Sequence, residues 1–239
     1  MWGEIVHGDY RQWANPTMLD AVTNYECYKG LYSSLNDRNY FEIAYALKRQ
    51  FGPEGLYRGL PLFNFADNHD VNRVASNLKQ AAHLYPLYAL LFSMPGVPTI
   101  YYGSEWGIEG RRSPTSDVAL RPRLDLNHAL QAAPRPDLPG FLARLAAIRK
   151  GSPALRHGEY DELLVRSEQL GFLRNSAEES TVVLLNAAAT PSFIEVALPP
   201  EQRFTTAIDL LNPGEIFPIH SGRLSVQIPS NWARILQLA

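Results

Sequence analysis

The 239-residue chain holds a single cysteine, Cys27, which excludes an internal disulfide framework and any multi-thiolate metal site. No window approaches the ~18 uninterrupted apolar residues of a membrane helix, so a membrane is not an expected partner. An excess of either charge is missing too. Lys and Arg number 22 against 24 Asp and Glu, and no basic stripe could follow a phosphate backbone, which removes nucleic acid. No glycine-rich loop opens a helix as a phosphate cradle does. No pair of His or Cys has ligand spacing, and Asp67 with Asp70 falls short of the dense oxygen pattern of a calcium loop. The opening "MWGEIVHGDY" lacks the charged-then-apolar pattern of a leader peptide. What remains is an ordinary packed composition, 46 % hydrophobic and 19 % charged, with length for one large domain or two smaller ones.

The first part of the chain alternates strands with helices. "MWGEIV" reads as the end of a strand and Leu19 to Tyr25 as another. Tyr40, Ala44, Leu47 and Phe51 fall on one helical face that Gly52 and Pro53 close. "LPLFNFAD" and "VPTIYYG" are nearly all apolar, as strands buried on both faces are. Leu78 to Ser93 is helical in composition, with Pro86 kinking it or starting its second half. Residues 111–136 have no clear period and read as a long loop. A helix bearing Phe141, Leu145 and Ile148 stops at Gly151 and Pro153. Beyond that the period changes: "STVVLLN", "FIEVAL", "LSVQI" and "RILQL" are short strands separated by turns such as "NPGE" and "HSGR". We expect an α/β domain over residues 1–153 and an all-β antiparallel sandwich over 154–239.

Strand–helix units imply a parallel sheet with its ligand site at the carboxyl ends of the strands. Glu4, Asn24 with Tyr25, the Asn68-His69-Asp70 run, and Gly103 to Glu105 all fall at such ends, the pattern of a barrel mouth. Two acids at one mouth can cleave a glycosidic bond, one protonating the leaving oxygen while the other supports an oxocarbenium-like centre. Each element has a plainer reading. Glu4 alone is equally a solvated carboxylate, "NHD" equally an Asx-type turn, and a lone histidine is more often structural than catalytic.

Taken together the residues resemble glycoside hydrolase family 13, the α-amylase family, in its C-terminal portion. "WGEIVHGDY" resembles the fifth-strand segment and "FADNHDVNR" the seventh. "MPGVPTIYYGSEWG" is similar to the eighth strand and its approach, and "LRPRLD" to the loop beyond. "FLARLAAIRKGSPAL" resembles the last barrel helix, and "GFLRNSAEESTVVLLN" the entry to the C-terminal sandwich. The resemblance implies the second half of a (β/α)8 TIM barrel, strands five to eight, followed by the β domain. It assigns Glu4 as general acid/base and Asp70 as transition-state stabiliser. It makes His69 a ligand of sugar hydroxyls, with His7, Tyr25 and Arg73 also touching substrate. Tyr101, Tyr102 and Trp106 become candidates for lining, and Glu105 a structural residue.

The implied substrate is an α-glucan or oligosaccharide; the implied cofactor is none, any calcium site lying in the N-terminal half. Two departures stand out. Val6 replaces the Trp that often stacks on the acceptor sugar, a contact His7 partly takes over, and no "GFRxD"-like motif supplies the nucleophilic Asp. The expectation is therefore a half-site, inactive alone, whose partner is the missing half of the barrel. The alternatives are a glucan or glucosyl transferase of the same family, a non-catalytic glycan-binding remnant, and two half-barrels closing on each other.

Overall fold

The computed structural model describes residues 1–200 and 203–239, without the side chains of residues 128–130. Four short strands come first: β1 (Trp2–Gly3), β2 (Ala21–Val22), β3 (Phe63–Phe65) and β4 (Val97–Thr99). β1 pairs with β2 and β3 with β4, both parallel. An isolated parallel bridge between Thr23 and Phe63 joins the two pairs. The strands therefore lie side by side in chain order, as half of an eight-stranded α/β barrel would.

Among the described residues seven helices accompany them: α1 (Tyr25–Asn36), α2 (Tyr40–Phe51), α3 (Val74–Asn77), α4 (Leu84–Ser93), α5 (Leu126–Ala132), α6 (Leu138–Gly151) and α7 (Pro153–His157). α2 forms where the apolar period places it, burying Tyr40, Ile43, Ala44, Leu47 and Phe51 on one face. α1 is opened by Asn24, whose side chain accepts the Cys27 backbone N–H at 3.3 Å. Its Gly30 lets α2 approach closely, since a Cβ there would sit 3.1 Å from Ile43 Cδ1.

Three expectations need correcting. The strand expected from Leu19 to Tyr25 is only Ala21–Val22, because Asn24 caps a helix that begins at Tyr25. The expected long helix is split into α3, a 3-10 turn at Ala81–His83, and α4, with Pro86 in the first turn of α4, where the missing N–H has no helical acceptor. Residues 111–136 are not a plain loop: they contain a 3-10 turn at Val118–Leu120 and the helix α5.

The rest of the described residues form one antiparallel sheet of eight strands: β5 (Glu159–Val165), β6 (Gln169–Asn175), β7 (Ser180–Asn186), β8 (Ser192–Ala197), β9 (Thr206–Asp209), β10 (Ile216–His220), β11 (Arg223–Ile228) and β12 (Trp232–Leu238). Their order is β5-β6-β7-β12-β9-β10-β11-β8. The sheet folds over a core of Leu173, Val182, Leu184, Ile194, Val196 and Leu224, giving the sandwich. β7 is buried along its whole length. Val182 and Leu184 face into the sandwich, while Val183 and Leu185 join the core beneath the barrel helices. That second core takes in Leu87, Leu91, Phe141 and Leu145 from α4 and α6, so the two lobes share an interior. The sheet starts at Glu159, with the short helix α7 linking it to α6.

Candidate active site

Glu4 leaves the end of β1 as an exposed side chain, and the loop after β3 carries Asn68, His69 and Asp70. The carboxylates of Glu4 and Asp70 and the imidazole of His69 present ligating atoms that all lie within 4.8 Å of one another. Residues 66 positions apart in sequence thus meet at the carboxyl ends of β1 and β3, which flank β2. His69 Nε2 faces Asp70 Oδ2 at 3.3 Å, with the side chains 49 % and 44 % exposed, open enough for a ligand to reach both. The same trio has the make-up of a cation-ligating set, which the sequence spacing did not suggest.

A chain of hydrogen bonds fixes this arrangement. Tyr25 Oη donates to Glu4 Oε1 at 2.6 Å, and Asn68 Nδ2 donates to Tyr25 Oη at 2.9 Å. Burial, and then the Glu4 carboxylate, push the Tyr25 phenol up to about 12, so it remains a donor near neutrality. Asn68 Oδ1 accepts the backbone N–H groups of Asp70 (2.8 Å) and Val71 (3.2 Å). The Asx-type turn read from "NHD" is therefore present, and it is the device that presents Asp70. Phe65 packs edge-on to the Tyr25 ring at 4.8 Å, and Tyr28 stacks on Phe65 at 5.2 Å.

The deciding side chain on the far side is Arg121. Its Nη2 lies 2.8 Å from Asp70 Oδ1 and its Nε donates to the His69 carbonyl at 3.1 Å. Asp117 pairs with it at 3.2 Å. The "LRPRLD" loop thus reaches back to hold the seventh-strand motif, a role that sequence spacing alone could not show. An open cleft of about 550 Å³ borders Asp70, lined also by Tyr28, Asn72, Arg112 and Ser113.

Beneath the mouth lies a buried polar layer. Asp67 accepts from Val74 N–H at 2.8 Å and from the Ser104 hydroxyl at 2.8 Å, and burial raises its pKa above the ordinary carboxylate value. Asn24 donates to Gln50 Oε1 (2.9 Å) and Asn64 Oδ1 (2.8 Å). These buried amides satisfy one another, which ties the strand ends together.

Arg73 departs from expectation. It is fully buried, not open to substrate. Its guanidinium donates to the Tyr102 carbonyl (2.5 Å), Ser104 Oγ (3.2 Å) and the Leu120 carbonyl (2.8 Å). It also lies 4.2 Å from the Tyr101 ring centroid and 5.1 Å from that of Tyr102. A side chain so engaged positions loops and cannot also grip a sugar. Tyr102 remains half-exposed with its hydroxyl on the Pro122 carbonyl, and Glu105 is half-buried. His7 is exposed in the loop after β1; among the described residues no hydrogen bond or ion pair ties it to Glu4, His69 or Asp70.

A family model for the α-amylase catalytic domain matches residues 1–158. The chain belongs to the α-amylase family. Over 194 residues it is 26 % identical to a β/α-amylase of Paenibacillus polymyxa, covering 77 % of this chain and 15 % of that protein. It is 27 % identical over 193 residues to a cyclomaltodextrinase of a Bacillus species, covering 77 % of this chain and 32 % of the relative. A solved α-amylase from Geobacillus thermoleovorans, complexed with acarbose, superposes with a TM-score of 0.80 at 19 % identity, over 100 % of this chain and 53 % of that one. The chain thus spans about half the length of such structures and a third or less of these curated relatives. The α-amylase-family half-barrel and C-terminal β domain expected from the motifs are the fold found.

Proposed function

We propose that this chain is the acid/base-bearing half of a retaining enzyme acting on α-glucosidic bonds in maltooligosaccharides, starch or related α-glucosides. The observation that carries the reading is the convergence of Glu4, His69 and Asp70, whose ligating atoms lie within 4.8 Å of one another at the ends of β1 and β3. Glu4, steadied by Tyr25, protonates the glycosidic oxygen and later deprotonates water. Asp70, oriented by Arg121 and the Asx turn, holds sugar hydroxyls and stabilises the positive charge that develops at the anomeric carbon. His69 donates to a hydroxyl of the same sugar.

Retention also requires a nucleophile roughly 5–5.5 Å from the acid/base carboxylate. No residue among these 239 matches the nucleophile motif, so the reading has that group supplied from outside them. The purified chain should bind maltotetraose or acarbose but hydrolyse no maltoheptaose. Asp70→Asn should weaken that binding about tenfold. Turnover by the chain alone, abolished in Glu4→Gln, would overturn the half-site. Binding unaltered by both Asp70→Asn and His69→Ala would overturn the site itself.

A further inference from the structure

A second cavity, of about 590 Å³, opens at the amino ends of β3 and β4, on the opposite side of the strands from Glu4 and Asp70. Four arginines line it: Arg58, Arg149, Arg156 and Arg174. Arg174 is 1 % exposed. Its guanidinium donates to the carbonyls of Ser93 (2.5 Å), Gly158 (2.8 Å) and Glu159 (3.3 Å). Arg149 donates to the carbonyls of Phe92 (2.8 Å), Met94 (3.2 Å) and Gly96. These carbonyls, several from the C-terminal end of α4, fix the two planar groups but carry no net charge to offset them.

Among the described residues the single carboxylate in the wall, Glu159, is already paired with Arg58. Among the described residues no acidic group forms an ion pair with Arg149, Arg156 or Arg174. Holding unneutralised charge away from water is costly, so such charges are normally paired. Burial pushes Arg149 down to about 10, helped by Arg156, and pushes Arg174 down to about 9, helped by Arg149.

We propose that this cavity binds a phosphate group, inorganic or carried on a small organic molecule, with Arg149 and Arg156 as the cations that meet it and Arg174, already held by carbonyls, as buried positive charge behind them. Phosphate fits because a dianion offsets most of the surplus charge and its oxygens match the planar guanidinium of the exposed Arg156. The cavity volume lies in the range of small-molecule sites, and Phe51, Pro61 and Val97 give an apolar wall for the remainder of an organic phosphate. This site is independent of the catalytic reading.

The test is a thermal-melt titration of the full chain with inorganic phosphate and with glucose 1-phosphate, against sodium chloride at matched ionic strength, with 31P line broadening as a direct readout. We expect a saturable rise in melting midpoint beyond the chloride control. Binding should be about tenfold weaker in Arg156→Ala, whose side chain is exposed, and in Arg149→Lys, which keeps charge but loses the fork. Equal responses to the two ligands assign the site to phosphate itself; a stronger response to glucose 1-phosphate assigns it to the organic ester. A phosphate effect no larger than that of chloride, or one untouched by both substitutions, would overturn the proposal.

Discussion

Arg73→Met is the perturbation that most directly tests how this site is built. Methionine keeps the stem's volume and removes the guanidinium, leaving the Tyr102 carbonyl, the Ser104 hydroxyl and the Leu120 carbonyl without their donor. Charged hydrogen bonds are worth roughly 1.5–3 kcal/mol each. The stack on Tyr101 adds about 1–2 kcal/mol. Against these stands the return of several kcal/mol of guanidinium desolvation. The net loss should be about 3 kcal/mol, which for a chain of this size is a fall of about 6–12 °C in melting midpoint. The shared interior of the two lobes makes a single transition the appropriate readout, followed by circular dichroism. Arg121→Met supplies the contrast: with a side chain 46 % exposed, its loss should cost under about 1 kcal/mol while still weakening sugar binding. A fall of less than about 3 °C in Arg73→Met, or an equal fall in Arg121→Met, would refute a buried clamp beneath a solvent-facing site.

Two further outcomes follow from buried titratable groups. His83 is held below the ordinary imidazole value by burial, and its Nε2 lies 3.1 Å from the Ala187 carbonyl of the sheet lobe. The unfolded chain therefore takes up that proton first, so His83 contributes stability above about pH 6.5 that is lost as pH falls below it. Urea midpoints from pH 7.5 to 5 should fall more for the parent than for His83→Gln, and parallel curves would exclude the linkage. Cys27 is fully buried and its thiol is pushed up to about 12. Iodoacetamide at pH 8 should label it only as fast as the chain unfolds, and rapid labelling of the folded protein would contradict the packing around α1.

Much of the fold could be read from periodicity. The apolar runs around Phe63–Phe65 and Val97–Thr99, the face of Tyr40–Phe51 and the alternation in β8, β11 and β12 all mark elements that form where their patterns lie. What stayed hidden was local competition. The apolar letters before Asn24 suggest a longer strand, but its side chain captures the next turn's N–H and starts α1. α1 itself, with Gly30 and two serines, has weak intrinsic helix preference and is secured by packing against α2. At the site, Glu4, His69 and Asp70 could be named because strand ends are special positions. Arg121 and the burial of Arg73 could not, because both depend on a loop returning across some fifty residues. One arginine holds Asp70 from a half-exposed position and the other is fully buried, and nothing in "VNR" or "LRPR" distinguishes them.

The interior shared by α4, α6, β6, β7 and β12 bears on inheritance. A domain joined by a linker can be traded among relatives, because its boundary carries few contacts. Here Val183 and Leu185 are as much part of the barrel lobe's interior as Leu87 and Leu145. A chimera that borrows the sheet from a relative must therefore borrow the outer face of α4 and α6 with it. By that packing, a substitution on one side of the contact restricts those open to the other.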